Sequence, residues 1–235
     1  FAFGIISSLL FVPQLRSLTP LTVVVLIGLF LILRRDRLPE LVRGWPILIL
    51  PAFVLLSCSW SIDPGDTAYY GTQYFITILA GALIGVGLER RAATRGVFFA
   101  LAFYALCSLL FGRTVSWGGG ALGNSAFAGL AQGKNTSGDA AGIGALFSLV
   151  VLLMSLQRRQ AMMALLALAA LALQFHTVIV ARSAGAILGI AITIPMILAW
   201  NASRPMAAST RFMIGVVGIL TMITAVLTRH IWLPA

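Results

Sequence analysis

Acidic residues are scarce here: six Asp and Glu stand against sixteen Lys and Arg in 235 residues. Charged residues of both signs make up only 9% of the chain, where a soluble domain carries roughly a quarter. That shortage, with 60% hydrophobic residues, excludes a water-soluble fold and describes a polytopic membrane protein. Lipid is then the solvent, and backbone polar groups must pair internally. Cysteine and histidine are also rare. Cys58 and Cys107 lie inside apolar runs without metal-ligand spacing and read as small buried hydrophobes. His176 and His230 are far apart, so no metal ligand set is visible. Lys134 is the one lysine among the sixteen basic residues. Strand-like alternation and a repeat of fixed period are both missing, which points to an all-α integral membrane bundle.

The formal net charge is +10. Nucleic acid is one use of such an excess, but arginines also collect in the cytoplasmic loops of membrane proteins. No nucleic-acid partner is expected. The chain opens at Phe1 inside one apolar run and closes at Ala235 just after another. It reads as the N-terminal part of a longer protein, a single transmembrane domain over 1–235.

Apolar runs predict about nine spans, the first truncated. They cover residues 1–12, 18–33, about 44–61, about 70–88, about 96–112, about 139–156, 161–180, 184–200 and 212–228. Several fall short of the ~20 residues that cross a bilayer. The third contains Pro46 and Pro51, tolerated near a helix start or as a kink. Loops after the even-numbered spans hold Arg34, Arg35, Arg37, Arg43, Arg90, Arg91, Arg95, Arg158, Arg159, Arg204 and Arg211, eleven cations. The other side holds five: Arg16, Arg113, Lys134, Arg182 and Arg229. The positive-inside rule places the first group in the cytoplasm, so the second group faces outward, toward the periplasm in a bacterium. Glycines at four-residue spacing, Gly81 and Gly85, Gly138 and Gly142, Gly185 and Gly189, allow close helix approach.

One long hydrophilic interval, 113–138, breaks this apolar pattern and reads as a periplasmic loop. It carries Gly118 to Gly120 and closes on Gly133-Lys134-Asn135-Thr136-Ser137-Gly138 before a new apolar run. Thr136 or Ser137 can cap that run. A helix start with a lysine beside it is a plausible anion site. Arg182 lies in a connection of only a few residues, so its guanidinium sits near the membrane surface, and Arg113 ends the fifth span. Several cations at one interface with few acids suit a phosphate or pyrophosphate headgroup, which arginine grips bidentately. For Arg16 and Arg229 snorkelling to lipid headgroups is the favoured reading. Asp63 could be a general base, but Asp63-Pro64-Gly65 is a good turn former. Asp139 fits the first turn of the sixth span, where a carboxylate complements the helix dipole. His176 is an intramembrane functional candidate, with hydrogen-bonded packing an equal alternative.

Three short motifs occur in order: Trp60-Ser61-Ile62-Asp63-Pro64, Gly133-Lys134-Asn135-x-x-Gly138 and Ala181-Arg182-Ser183-Ala184. Together they resemble the O-antigen ligase and polymerase superfamily, which includes exopolysaccharide polymerases. The resemblance covers about residues 45–235. It implies a membrane glycosyltransferase of the bacterial inner membrane. Such an enzyme moves glycan from an undecaprenyl-pyrophosphate carrier, at the periplasmic face, to another glycan or to lipid A–core of lipopolysaccharide. The implied reaction is inverting and metal-independent and needs no cofactor. Lys134 and Arg182 match the family's basic positions and would hold the pyrophosphate. Asn135 and Ser183 would be nearby hydrogen-bond donors and Arg113 a third cation. The family's catalytic histidine sits in a large periplasmic loop, expected here beyond residue 235; His230 does not match that motif. Gly129-Leu130-Ala131-Gln132 and the triple glycine also depart from the family pattern. A transporter of an anionic or lipid-linked solute is the alternative class, and should show inverted repeats and helices broken at mid-membrane. A subunit that only binds lipid-linked sugar is a third.

Overall fold

The computed structural model describes residues 1–15, 18–116 and 125–203. The expected ninth span, the triple glycine, Arg16, Arg204, Arg211, Arg229 and His230 lie outside the described residues. Ten helices appear in order: α1 Ala2–Leu10, α2 Val12–Leu15, α3 Leu18–Leu33, α4 Leu38–Arg43, α5 Ile49–Leu56, α6 Pro64–Gly87, α7 Arg90–Phe111, α8 Lys134–Gln157, α9 Ala161–Ala181 and α10 Ala184–Ala202. Two strands, β1 Arg113–Ser116 and β2 Ser125–Gly129, form an antiparallel ribbon between α7 and α8.

Helices α6 to α10 are long and apolar enough to cross a membrane, and up to six spans result if the bent α3–α4 pair is one. The expectation of about nine is not reached among the described residues. The shortest, α10 with 19 residues, covers roughly 28 Å at 1.5 Å per residue, close to the ~30 Å hydrocarbon core. Charged and polar turns do punctuate the apolar runs as expected, but α6, α7 and α8 begin five or six residues earlier than their apolar runs. Their first turns are polar, because a helix end at the interface can be wet while its middle is not.

Two expected spans differ more. Leu18–Leu33 is helical as predicted, but a turn at Arg35–Arg37 bends the following α4 by 85°. The 44–61 run is a short apolar helix, Trp45–Trp60, built of a 3-10 turn, α5 and a second 3-10 turn. Pro46 and Pro51 sit at the starts of the first two pieces, where a missing N–H leaves no bond broken. The interval expected as a plain loop contains the β ribbon, so the bundle is not purely α. Its short strands lack the alternation that would reveal them: the inward-facing β2 residues are Ala126, Ala128 and Gly129, not large hydrophobes.

Three short connections, and the antiparallel ribbon between α7 and α8, make the five long helices run alternately up and down. Leu88-Glu89 joins α6 to α7, Arg158 to Gln160 joins α8 to α9, and Arg182-Ser183 joins α9 to α10. One end of the bundle thus carries Arg90, Arg91, Arg158 and Arg159. Side chains tie it together: Arg95 donates to Gln160 and Gln157 Nε2 donates to Asn201 Oδ1 at 3.0 Å. The α3–α4 elbow joins the same end, since a Cβ on Gly87 would overlap the Phe30 ring. At the opposite end lie the Asp63 turn, the ribbon, the start of α8 and the Arg182 connection.

Helix α8 is the hub, packed on α7, α9, α10 and β2. Its interface is made of small residues, Gly138, Ala141, Gly142, Gly144, Ala145 and Ser148, which let backbones approach closely. Gln174 of α9 is 1% exposed and knits three helices. Its Nε2 donates to Leu101 O of α7 at 3.0 Å, and a Cβ on Gly144 of α8 would lie 2.8 Å from its Oε1. Gly144→Val is expected to lower the thermal midpoint of the detergent-solubilised protein, by about 1–3 kcal/mol of overpacking; an unchanged midpoint would refute this packing.

Candidate functional site

The site sits where the ribbon meets the bundle end. Ser108, 1% exposed near the end of α7, is its floor. Its Oγ accepts from Leu130 N–H at 3.5 Å. Gly112 and Gly129 both crowd against it: a Cβ on Gly129 would lie 2.9 Å from Ser108 Cβ. Gly129 also needs its φ of +58°, a conformation glycine adopts without steric cost. The ribbon register skips Ala128 between the Arg113–Gly129 and Thr114–Phe127 pairs, a bulge of the kind that bends a strand. Beyond it, Gln14 Nε2 donates to Leu130 O at 2.7 Å, tying the chain's first helices to this turn. Residues 130–133 are thereby held, and α8 starts at Lys134 from an extended Gly133.

Helix α8 carries no side-chain cap. Its first intrahelical bond is Ser137 N–H to Gly133 O, 3.1 Å, and the preceding amides of a first turn have no acceptor inside a helix. Thr136 and Ser137 therefore do not cap the helix as expected: Thr136 is exposed and Ser137 is buried in the second turn. Asp139, expected in the first turn, is exposed one turn later. Both shifts have one cause, the five-residue extension of the helix through its polar start.

Arg182 and Ser183 close the tight α9–α10 connection. Arg182 takes a left-handed conformation, φ 50° and ψ 41°, as the C-cap of α9. This backbone geometry costs a non-glycine residue about 1–2 kcal/mol. Ser183 is 2% exposed and caps α10, its Oγ accepting from Ala186 N–H at 3.5 Å. Gly138 rests directly on it: a Cβ there would lie 2.9 Å from Ser183 Oγ. Gly142 continues the contact against Ala186. This seating brings the Lys134 and Arg182 motifs side by side. The N-termini of α8 and α10 converge there, adding two positive dipole ends.

Among the candidates, Arg113, Asn135 and Arg182 are exposed, Lys134 is half-buried and Ser183 is buried. Ser183 serves as cap and packing surface for Gly138. Arg113 pairs with Gly129 at the root of the ribbon. Among the described residues, Arg113 and Arg182 have no ion-paired or side-chain hydrogen-bonded partner. Asp139 is the one acid after Glu89 in the chain; Asp63 and Asp66 lie at the same end, on the α6 turn. The arrangement suits an anion with several oxygens, held at a water-facing surface by guanidinium, ammonium and helix amides.

Asp63 does what the turn reading predicts. Its Oδ1 accepts from Asp66 N–H at 3.1 Å and caps α6. Ser61 and Thr67 pair across the turn, and Thr67 Oγ1 donates to Asp63 O at 2.7 Å. This third motif shares the end with the other two, but α6 packs chiefly on α5 and α3 while α8 packs on α7, α9 and α10. His176 is exposed on α9. The buried polar residues of that helix are Thr177 and Gln174, and Gln174, two positions before His176, is absent from the sequence-based candidates. An amide inside the run Leu171-Ala172-Leu173-Gln174-Phe175 was the available signal. Ser108 and Gln14, which hold the ribbon, carry no such signal. No three His, Cys, Asp or Glu converge as a metal site among the described residues. Compared with known protein families, curated proteins and solved structures, the chain matches none of them.

Proposed function

We propose that this protein is a membrane glycosyltransferase of surface polysaccharide assembly, of the O-antigen ligase and polymerase kind. The observation that carries the reading is the seating of Gly138 on Ser183, which joins the motifs that contain Lys134 and Arg182. In this reading Lys134 and Arg182 grip the pyrophosphate of an undecaprenyl-linked glycan, with Arg113 and Asn135 at the rim. An acceptor hydroxyl on a glycan or lipid A–core attacks the anomeric carbon and gives its proton to a base. The carbon–oxygen bond to pyrophosphate breaks, and undecaprenyl pyrophosphate departs with the bonding pair. The cations stabilise the charge that grows on the leaving phosphate. No base is assigned among the described residues.

The bacterial inner membrane is the proposed location, with the site periplasmic. Nine of the twelve basic residues among the described ones lie at the end opposite the site, which supports this orientation. Alkaline phosphatase inserted between Ser116 and Ser125 should be active, and the same reporter fused after Ser203 inactive. The reverse pattern would overturn the orientation.

The function is tested in a host lacking the corresponding surface polysaccharide. Wild type should lengthen or transfer glycan on a gel and draw down the undecaprenyl-linked pool. A carrier pool and polysaccharide identical with and without the protein would refute the transferase reading and turn attention to solute transport.

A further inference from the structure

We propose that the cleft between α5 and the start of α6 is a binding site for a neutral saccharide. The cleft holds about 540 Å³, within the ~300–1,000 Å³ of small-ligand pockets. Val54 of α5 forms one side. Asp63, Asp66, Thr67, Tyr70 and Tyr74 form the other, and their three- and four-residue spacing sets them in one row along α6. Gly71 lets the two helices touch at the floor: a Cβ there would lie 3.1 Å from Leu55 Cδ2.

The polar groups of this cleft are open. Asp63 gives Oδ1 to the cap of α6. Among the described residues, the Asp66 carboxylate and the Tyr70 and Tyr74 hydroxyls have no hydrogen-bonded or ion-paired partner. Tyr70 is 62% and Tyr74 37% exposed, so solutes reach both rings, and Tyr69 braces Tyr70 edge-on with ring centroids 5.2 Å apart. No basic residue lines the cleft.

That lining selects its ligand. A sugar ring offers an apolar C–H face and a belt of hydroxyls. Tyrosine presents an apolar ring with a polar tip, and a carboxylate accepts from two neighbouring hydroxyls in charge-assisted bonds. A lipid phosphate or a uronic acid would instead meet two aspartates with no cation to offset them. The cleft shares its end of the bundle with the Lys134 and Arg182 motifs. Its use in transfer rests on the glycosyltransferase reading: it would hold sugar units of a donor or acceptor chain away from the reacting carbon.

The test uses the full chain in phospholipid nanodiscs, which bring no sugar headgroup, on a panel of immobilised neutral and uronic-acid oligosaccharides. Wild type should bind neutral members and leave the uronic acids. Tyr70→Ala with Tyr74→Ala should abolish that binding. Asp66→Asn should lower it about tenfold, the loss expected for a hydrogen bond to a charged group. Asp66 is exposed, so this variant serves if the tyrosine pair is poorly folded. Asp139→Asn, an exposed acid at the same end but outside the cleft, should bind as wild type. Failure to bind any neutral oligosaccharide would overturn the proposal, as would equal binding of the uronic acids or an equal loss in Asp139→Asn. Displacement by millimolar tetramethylammonium would also overturn it and assign the rings and acids to an ammonium ligand. Binding needs no turnover, so the two readings fail separately. Glycan bound without transfer would leave the cleft standing and sink the transferase, and transfer without bound glycan would do the reverse.

Discussion

Arg182→Ala and Lys134→Ala are each expected to lower glycan transfer by about a hundredfold or more, with carrier-linked substrate accumulating. The magnitude is that of removing one charge-stabilising group from a developing oxyanion. The protein should remain folded, because Arg182 is exposed and Lys134 only half-buried. Arg182→Gly separates chemistry from folding more sharply. Glycine adopts the φ of 50° at that position without strain, so this variant should gain up to about 1 kcal/mol of stability while losing transfer as Ala does. If Arg182→Gly melts higher and still transfers glycan, the guanidinium is not part of the site. If it melts lower, Arg182 has a structural partner that the fold does not display.

Gly138→Leu is expected to damage stability and activity together. Even a bare Cβ at Gly138 would press within 3 Å of Ser183 Oγ, and a leucine would wedge α8 from α10. Overpacking of this kind costs about 1–3 kcal/mol. Thermal unfolding in detergent should show a lowered midpoint, and the Lys134 and Arg182 motifs should separate. Ser183→Gly in the same chain removes the opposing side chain and should recover part of the midpoint. By contrast, Gly81→Ala and Gly185→Ala should melt as wild type, since a Cβ at either meets no described atom within 4 Å. Equal sensitivity at all these glycines would contradict the packing. The two experiments read different things: the arginine and lysine variants report on charge at an intact site, the glycine variant on whether the site is assembled.

The three glycine pairs show where reading the sequence stops. All have the same spacing, and only Gly138 and Gly142 meet another helix closely among the described residues. Spacing states that a close approach is permitted; a partner decides whether it occurs. The same holds for polar residues inside spans. His176 and Gln174 lie on one helix, two positions apart, yet one is exposed and the other knits α7, α8 and α9. Rotation of α9 about its axis separates them, and that rotation is set by packing rather than by the local run. The ribbon was hidden for a related reason. Its strands bury alanine and glycine against the helix ends, so no large side chains alternate to announce them.

By itself, the sequence determined the membrane class, the five long apolar helices and the charged turns between them. Those are local properties: the length of an apolar run is matched to the bilayer, and cations gather at its ends whatever the neighbours do. It also marked Lys134 and Arg182 as cations at one surface, because both lie in connections on the same side of the alternating spans. The tertiary structure alone decided that Gly138 of the first motif seats on Ser183 of the second, that a ribbon braced on Ser108 holds the start of α8, and that α3 turns aside at an elbow flanked by arginines. Each of these depends on which surfaces meet across the fold. Such contacts are chosen by the shapes of distant residues, and no periodicity within one segment encodes them.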